Sequence, residues 1–219
     1  IQVERGAKSG VATILVKHST GERAVFFERS TAVEPKFLDS HKRLINDSMI
    51  LHINGRHRTL MRAAIDVAKD VGTIISLDGG AQRYDEEMKP ITKDSHIVIV
   101  ARDYAEKYTG TTNLEEACRI IHDRGALIAG VTDGANGSYF VWPDGTFYRC
   151  QAFPQEYVVD TTGAGDSFHG AFLSKLVTLL RELAPVEGLE TSTYAIDLLQ
   201  HCGHSDLEKA AIFASAVAA

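Results

Sequence analysis

The stretch Asp160-Thr161-Thr162-Gly163-Ala164-Gly165-Asp166 sets two carboxylates around a loop of small residues. Tyr157-Val158-Val159-Asp160 reads as a short strand before it, and the apolar spacing from Ser167 to Leu180 reads as a helix after it. In an open α/β sheet, a loop between a strand's carboxyl end and a helix N-terminus faces the ligand crevice. Its N–H groups have no helical partner and point outward. Gly163 and Gly165 let the backbone bend and approach a ligand closely, and Ala164 adds almost no bulk. With the helix dipole, this makes a cradle for an anion. The loop has no lysine in or beside it and is not a GxxxxGK[ST] loop, and Phe168 stands where the third glycine of a dinucleotide fingerprint would fall. Asp166 is the informative residue. A carboxylate repels bound phosphate, so a cradle that only held phosphate would do better without it. One that hands phosphate to an alcohol can use it as the base that orients the hydroxyl and takes its proton. The alternative is that Asp166 only caps the helix, as aspartate often does.

The surrounding elements must place this loop. Residues 11–18 and 23–29 are β-rich runs joined by Ser19-Thr20-Gly21-Glu22, a hairpin signal. Helices are expected over 36–47, 57–72 and 114–124, the last capped by Asn113. Buried strands are expected over 48–53, 73–78, 95–100 and 126–132, and a second hairpin joins 138–143 to 147–150. Strands alternating with amphipathic helices make crossover units, hence an α/β fold with a mainly parallel central sheet flanked by helices. The early hairpin stands outside the alternation and reads as a small sheet projecting from the body.

The composition excludes some partners. The net charge of −6 argues against a nucleic-acid or membrane-surface partner, so an anionic ligand must be held locally. Three cysteines without a CxxC pair (Cys118, Cys150, Cys202) fit a reducing, cytoplasmic setting. No apolar run approaches a membrane span, and no signal segment opens the chain. The chain starts at Ile1 and stops within the apolar helical pattern AIFASAVAA, which reads as a piece lacking its terminal parts.

Asp160 to Phe172, DTTGAGDSFHGAF, closely resembles the C-terminal signature of the ribokinase-like, or phosphofructokinase-B type, carbohydrate kinases. About thirty residues earlier, Thr132-Asp133-Gly134-Ala135-Asn136-Gly137 is similar to that family's nucleotide segment, T-x-G-x-x-G. The resemblance implies a ribokinase-like three-layer fold with a small β lid, and phosphorylation of a sugar hydroxyl from ATP and Mg²⁺. It implies Asp166 as catalytic base and the N–H groups of Gly163, Ala164 and Gly165 as an anion hole. Thr132, Asp133, Gly134 and Gly137 would line the ATP site. Asp160 and Thr162 would hold a monovalent cation such as K⁺, unless Asp160 only accepts loop N–H bonds. Residues 1–32 would form part of the lid, and 33–219 the nucleotide-binding and catalytic domain, truncated at both ends. The lid would exclude water from the sugar, and it is the expected contact for a homodimer. Arg23 on the lid could reach the substrate, or stand as a solvated edge charge. A ketose such as fructose is the expected acceptor.

The resemblance also has gaps. Where the family often carries N-x-x-E to organise Mg²⁺, Ala101 and Tyr104 stand here, which leaves magnesium to water and phosphates. Asp103 nearby is a candidate helix cap. The first strand and Gly-Gly signature, which supply most sugar contacts, are absent from these 219 residues, as is the C-terminal turn over adenine. A catalytically impaired nucleotide-binding protein on the same fold is therefore one rival, and a nucleoside kinase another. Asp78 and Arg83 follow a strand end and either line the cleft or shape its loop. His169 is read as packed or exposed rather than catalytic, Trp142 as hairpin packing, and His201-Cys202-Gly203-His204 as a helix end rather than a metal site.

Overall fold

The computed structural model describes residues 2–17, 23–184 and 194–219; the turn expected at 19–22 lies outside them. The central sheet has six strands, β3 (Ile50–Ile53), β4 (Ile74–Gly79), β5 (Ile97–Ala101), β6 (Ile128–Thr132), β7 (Ser138–Val141) and β8 (Phe147–Cys150), in that spatial order. The first four are parallel, and β7 and β8 return antiparallel as the second hairpin.

Alternation along the central strands divides the core between two faces. Ile75, Leu77, Val98, Val100, Ala129 and Val131 point to one side, under α2 (Arg58–Val71), α4 (Arg102–Thr109) and α5 (Leu114–Asp123). Ile74, Ile97, Ile99 and Ile128 point to the other, against Phe172, Leu176 and Leu180 of α6 (Ala164–Leu183) and Ala211 of α8 (His204–Val217). Both faces of β4 and β5 are covered, which is why these strands read as continuous apolar runs. The result is the three-layer α/β arrangement the pattern predicts. Among the described residues three shorter helices join it: α1 (Asp39–Asn46), α3 (Met88–Lys93) and α7 (Ala195–Gln200).

Local signals set several boundaries. Asn113 Oδ1 accepts the Glu115 and Glu116 N–H groups at 3.0 and 3.2 Å, so the expected cap of α5 is present. Gly72 closes α2 at φ 77°, a left-handed turn that glycine adopts without strain.

One expected element is absent. Residues 157–160 join no sheet, and Tyr157, Val158 and Val159 are 58, 44 and 51% exposed. Two valines favour extended backbone, but the segment pairs with neither edge strand of the sheet, β3 or β8. Asp103 also differs from expectation. Ala101 is the N-cap of α4, and the Asp103 carboxylate accepts the Gln82 N–H at 2.6 Å, fixing the loop after β4.

The first hairpin, β1 (Val11–Val16) and β2 (Arg23–Glu28), is a separate two-stranded antiparallel sheet. Its stalk is tied to the body. Glu34 Oε1 accepts the Thr59 and Leu60 N–H groups at 2.9 and 3.2 Å, capping α2 from a distant segment. The Arg56 guanidinium lies over the Phe27 ring, 5.5 Å from its centroid.

His96 makes folding sensitive to pH. Its Nδ1 accepts the Ile75 N–H at 3.0 Å, and burial lowers its pKa from the ordinary 6.5. The folded state therefore binds fewer protons than the unfolded one, and this stabilisation is lost as pH falls below about 6.5, above the carboxylate range. The urea midpoint should drop between pH 7 and pH 5, and His96→Gln should flatten that drop. An unchanged slope in the variant would remove His96 from the explanation.

Candidate active site

The loop of interest enters α6 through Gly163, whose φ of 84° is left-handed. Ser167 N–H closes the first turn onto Gly163 O at 2.8 Å, and Ala164 N–H reaches Thr161 O at 3.3 Å. Among the described residues, no protein acceptor meets the N–H groups of Gly165 and Asp166. A Cβ built on Gly165 would have nothing within 4 Å, so the space beside the turn is open. Asp166 sits in the first turn, exposed to solvent. Among the described residues its carboxylate accepts no backbone hydrogen bond, and the capping position belongs to Gly163. The simple cap reading therefore does not describe this side chain.

The turn hangs over the strand ends by way of β5 rather than of the expected strand at 157–160. His169, one helical turn into α6 and 4% exposed, places Nε2 3.0 Å from Ile99 O and Nδ1 3.0 Å from Gly165 O. Asp78, at the carboxyl end of β4, lies 3.9 Å from His169 Nε2 and 3.8 Å from Arg83 Nη1. His52 of β3 has its ring centroid 5.8 Å from that of His169, and its Nδ1 lies 3.3 Å from Ser76 Oγ. Crowding of protein around the His52 ring lowers its pKa. His169 adds to this, while the carboxylates of Asp78 and Asp166 oppose it. Asp166, His52, His169, Asp78 and Arg83 thus form one electrostatic neighbourhood above β3, β4 and β5.

The second segment lies beside the same strand end. Thr132 pairs with Ala101 across the β5–β6 ladder, two residues beyond Ile99, or about 7 Å along the strand. Gly134–Asn136 is a single 3₁₀ turn, closed by Asp133 N–H on Gly137 O at 2.8 Å. Gly134, at φ 52°, is exposed. Gly137 is buried, and its Cα packs so closely on β8 that an added Cβ would fall 2.1 Å from Cys150 O. The Asp133 carboxylate turns away to Arg102 Nη1 at 3.0 Å and Asn136 Nδ2 at 3.1 Å. It borders a separate groove of about 410 Å³, also lined by Arg102, Asn113, Tyr139, Phe147 and Arg149.

Asp160 and Thr162 are adjacent in space. Asp160 Oδ1 accepts the Thr162 N–H at 2.8 Å, and the Thr162 hydroxyl, then that N–H, hold the carboxyl below its usual range. The charge of Arg23 adds to this shift, so the base of β2 reaches the start of the loop. Arg23 itself is exposed. In place of the family's Asn and Glu, Ala101 carries no ligand and Tyr104 is fully buried, with its hydroxyl 2.7 Å from Thr92 Oγ1. Glu106 is engaged by Arg102 at 2.9 Å, and Asp103 by Gln82. Among the described residues no three His, Cys, Asp or Glu side chains group to hold a metal, His201, Cys202 and His204 included. These side chains do not fit a protein-held Mg²⁺. Trp142 is hairpin core, stacked on Phe140 at 4.6 Å.

Over residues 1–219 the sequence matches the family model described as pfkB family carbohydrate kinase. The chain belongs to that family. Fructokinase-2 of Solanum lycopersicum is 26% identical to this pfkB chain over 195 residues, covering 81% of it and 58% of the relative. Ketohexokinase of Mus musculus is 27% identical over 173 residues, covering 74% and 57%. The structure of ribokinase from Giardia lamblia superposes with a TM-score of 0.77 at 19% identity, covering 97% of the pfkB chain and 65% of that one. The pfkB chain therefore has the ribokinase-like fold, and it spans under two thirds of the length of these relatives.

His52, Ser76 and the clamp by His169 were not legible as site features in the sequence. The available signal was a histidine inside the apolar stripe Phe168, Phe172, Leu176, Leu179 and Leu180, where a polar ring must have a buried partner.

Proposed function

We propose that this chain is the nucleotide-binding and catalytic part of an ATP-dependent kinase that phosphorylates a sugar hydroxyl, with a fructose-like ketose as acceptor. One observation carries the reading: an exposed, uncapped Asp166 carboxylate beside free helix N–H groups. An acceptor hydroxyl lying against Asp166 is oriented by it and gives it a proton as the oxygen attacks phosphorus. The N–H groups of Gly163, Ala164 and Gly165 face the transferring phosphoryl group and stabilise its charge, with Ala164 having to release Thr161 O. Thr132 and Gly134 receive the nucleotide, while Gly137 and Asp133 shape the turn that presents them.

Magnesium enters with the nucleotide, held by phosphates and water. Asp160 and Thr162 are the residues that would hold a monovalent cation. Residues 1–32 act as part of the lid and 33–219 as the catalytic domain. The lid ribbon is apolar on both faces. Ile14, Val25 and Phe27 share the face that meets Arg56, while Val11, Leu15 and Phe26 share the other and are 55, 58 and 60% exposed. That second face fits a second copy of the chain. Sedimentation should show a dimer that Phe26→Ser converts to monomer; a monomeric parent would remove this part of the reading.

The second reading, a nucleotide-binding protein without transfer activity, draws on Ala101 and Tyr104. ADP release by the intact protein, measured with ketoses, sugar acids and nucleosides, separates the two. Acceptor-dependent release lost in Asp166→Asn supports the kinase; nucleotide binding without any acceptor dependence supports the rival.

A further inference from the structure

We infer that His169 is a positioning residue. It clamps the first turn of α6 to β5, and so fixes where the anion-hole N–H groups and Asp166 stand.

The first turn has little else to hold it. Gly163 is left-handed, and Ala164-Gly165-Asp166-Ser167 includes a glycine, an aspartate and a serine, none a strong helix former. Nothing packs beside Gly165, and Asp166 and Ser167 are exposed. Burial in α6 begins at Phe168 and His169. Phe168 meets Phe140 ring to ring at 6.4 Å, a contact with no defined donor or acceptor. His169 supplies direction instead. One nitrogen meets Gly165 O inside the turn and the other meets Ile99 O on the strand, each at 3.0 Å. Both partners are carbonyl oxygens, and the Asp78 carboxylate lies 3.9 Å from Nε2. Directional bonds in a buried setting specify one arrangement where apolar packing would allow sliding. A leucine could fill the volume of His169, but it could not set the register of Gly165 and Asp166 over β5.

The test compares the parent with His169→Leu, which fills space without donors, and His169→Gln, which keeps an amide donor. Leu176→Ala serves as the control, weakening the same helix two turns further on. Hydrogen exchange at the amides of 167–170 is read against that at 172–180. The inference predicts that His169→Leu raises exchange at 167–170 by about tenfold with 172–180 unchanged, and that His169→Gln restores part of the protection. Leu176→Ala should raise both segments together. If His169→Leu does not fold, His169→Gln against Leu176→Ala carries the same comparison. In the intact protein, where transfer is measurable, kcat should fall roughly 10- to 100-fold with KM for both substrates within about threefold. Exchange that rises equally along α6, or a Gln variant no better protected than Leu, overturns the inference. The activity arm rests on the kinase reading. The exchange arm does not, so an inert protein with a loosened first turn would sink that reading and leave the clamp standing.

Discussion

Asp166→Asn is expected to lower acceptor-dependent ADP release by about a thousandfold, with nucleotide binding and the melting temperature near those of the parent. The size of the effect follows from what the substitution removes. Asparagine keeps the shape and can still accept a hydrogen bond, but it cannot take the proton of the attacking hydroxyl. The retained stability follows from exposure. Among the described residues no backbone N–H depends on this carboxylate, so its loss leaves no buried group unsatisfied. A cap would behave oppositely, costing about 1 kcal/mol of stability with little change in chemistry. Measuring turnover and melting in the same variant therefore separates the two roles. A drop in stability with unchanged turnover would return Asp166 to the cap reading.

Among the described glycines, Gly137 should lose the most stability on substitution by alanine. The added carbon would stand 2.1 Å from Cys150 O and 3.0 Å from Ala152 N, both backbone atoms that cannot rotate away. The residue also sits at φ 92° and ψ −148°, a region that side chains avoid. Relief requires the β7–β8 pairing to shift. The expected loss exceeds about 3 kcal/mol, read as a lower urea midpoint with an unchanged slope. Gly165→Ala is the informative contrast. Its added methyl meets nothing within 4 Å, and alanine favours helix, so stability should hold or rise by up to about 1 kcal/mol. Any loss of transfer in Gly165→Ala then reports on the approach of the phosphoryl group. Equal stability in Gly137→Ala and Gly165→Ala would show that the tight packing of the 134–137 turn is not what the Gly137 site requires.

The pair also shows what a sequence can and cannot say here. Both glycines fall in recognisable segments, and the family resemblance gives both a ligand-facing role, Gly165 in the anion hole and Gly137 at the ATP site. Their difference depends on Cys150, thirteen residues along the chain from Gly137, coming to rest against that Cα. Features written in local chemistry are legible: the Asn113 cap, the Gly72 stop, and the apolar runs of β4 and β5. Features that depend on distant partners are not. The Glu34 cap on α2 and the hold of Asp103 on Gln82 join segments that no periodicity connects. The expected strand at 157–160 failed for the same reason in reverse: its valines favour extension, but pairing depends on distant neighbours, and the segment joins no sheet. The site shares this division. DTTGAGD is visible at once, while the His169 clamp that holds it over β5 depends on a contact seventy residues away in sequence.

The most direct test is product identity. The intact protein is incubated with ATP and fructose, and the sugar is analysed by mass spectrometry and ³¹P NMR. The expected product is a fructose monophosphate formed in step with ADP, with none from Asp166→Asn. ADP formed at the same rate with and without sugar, and no phosphorylated sugar, would contradict it.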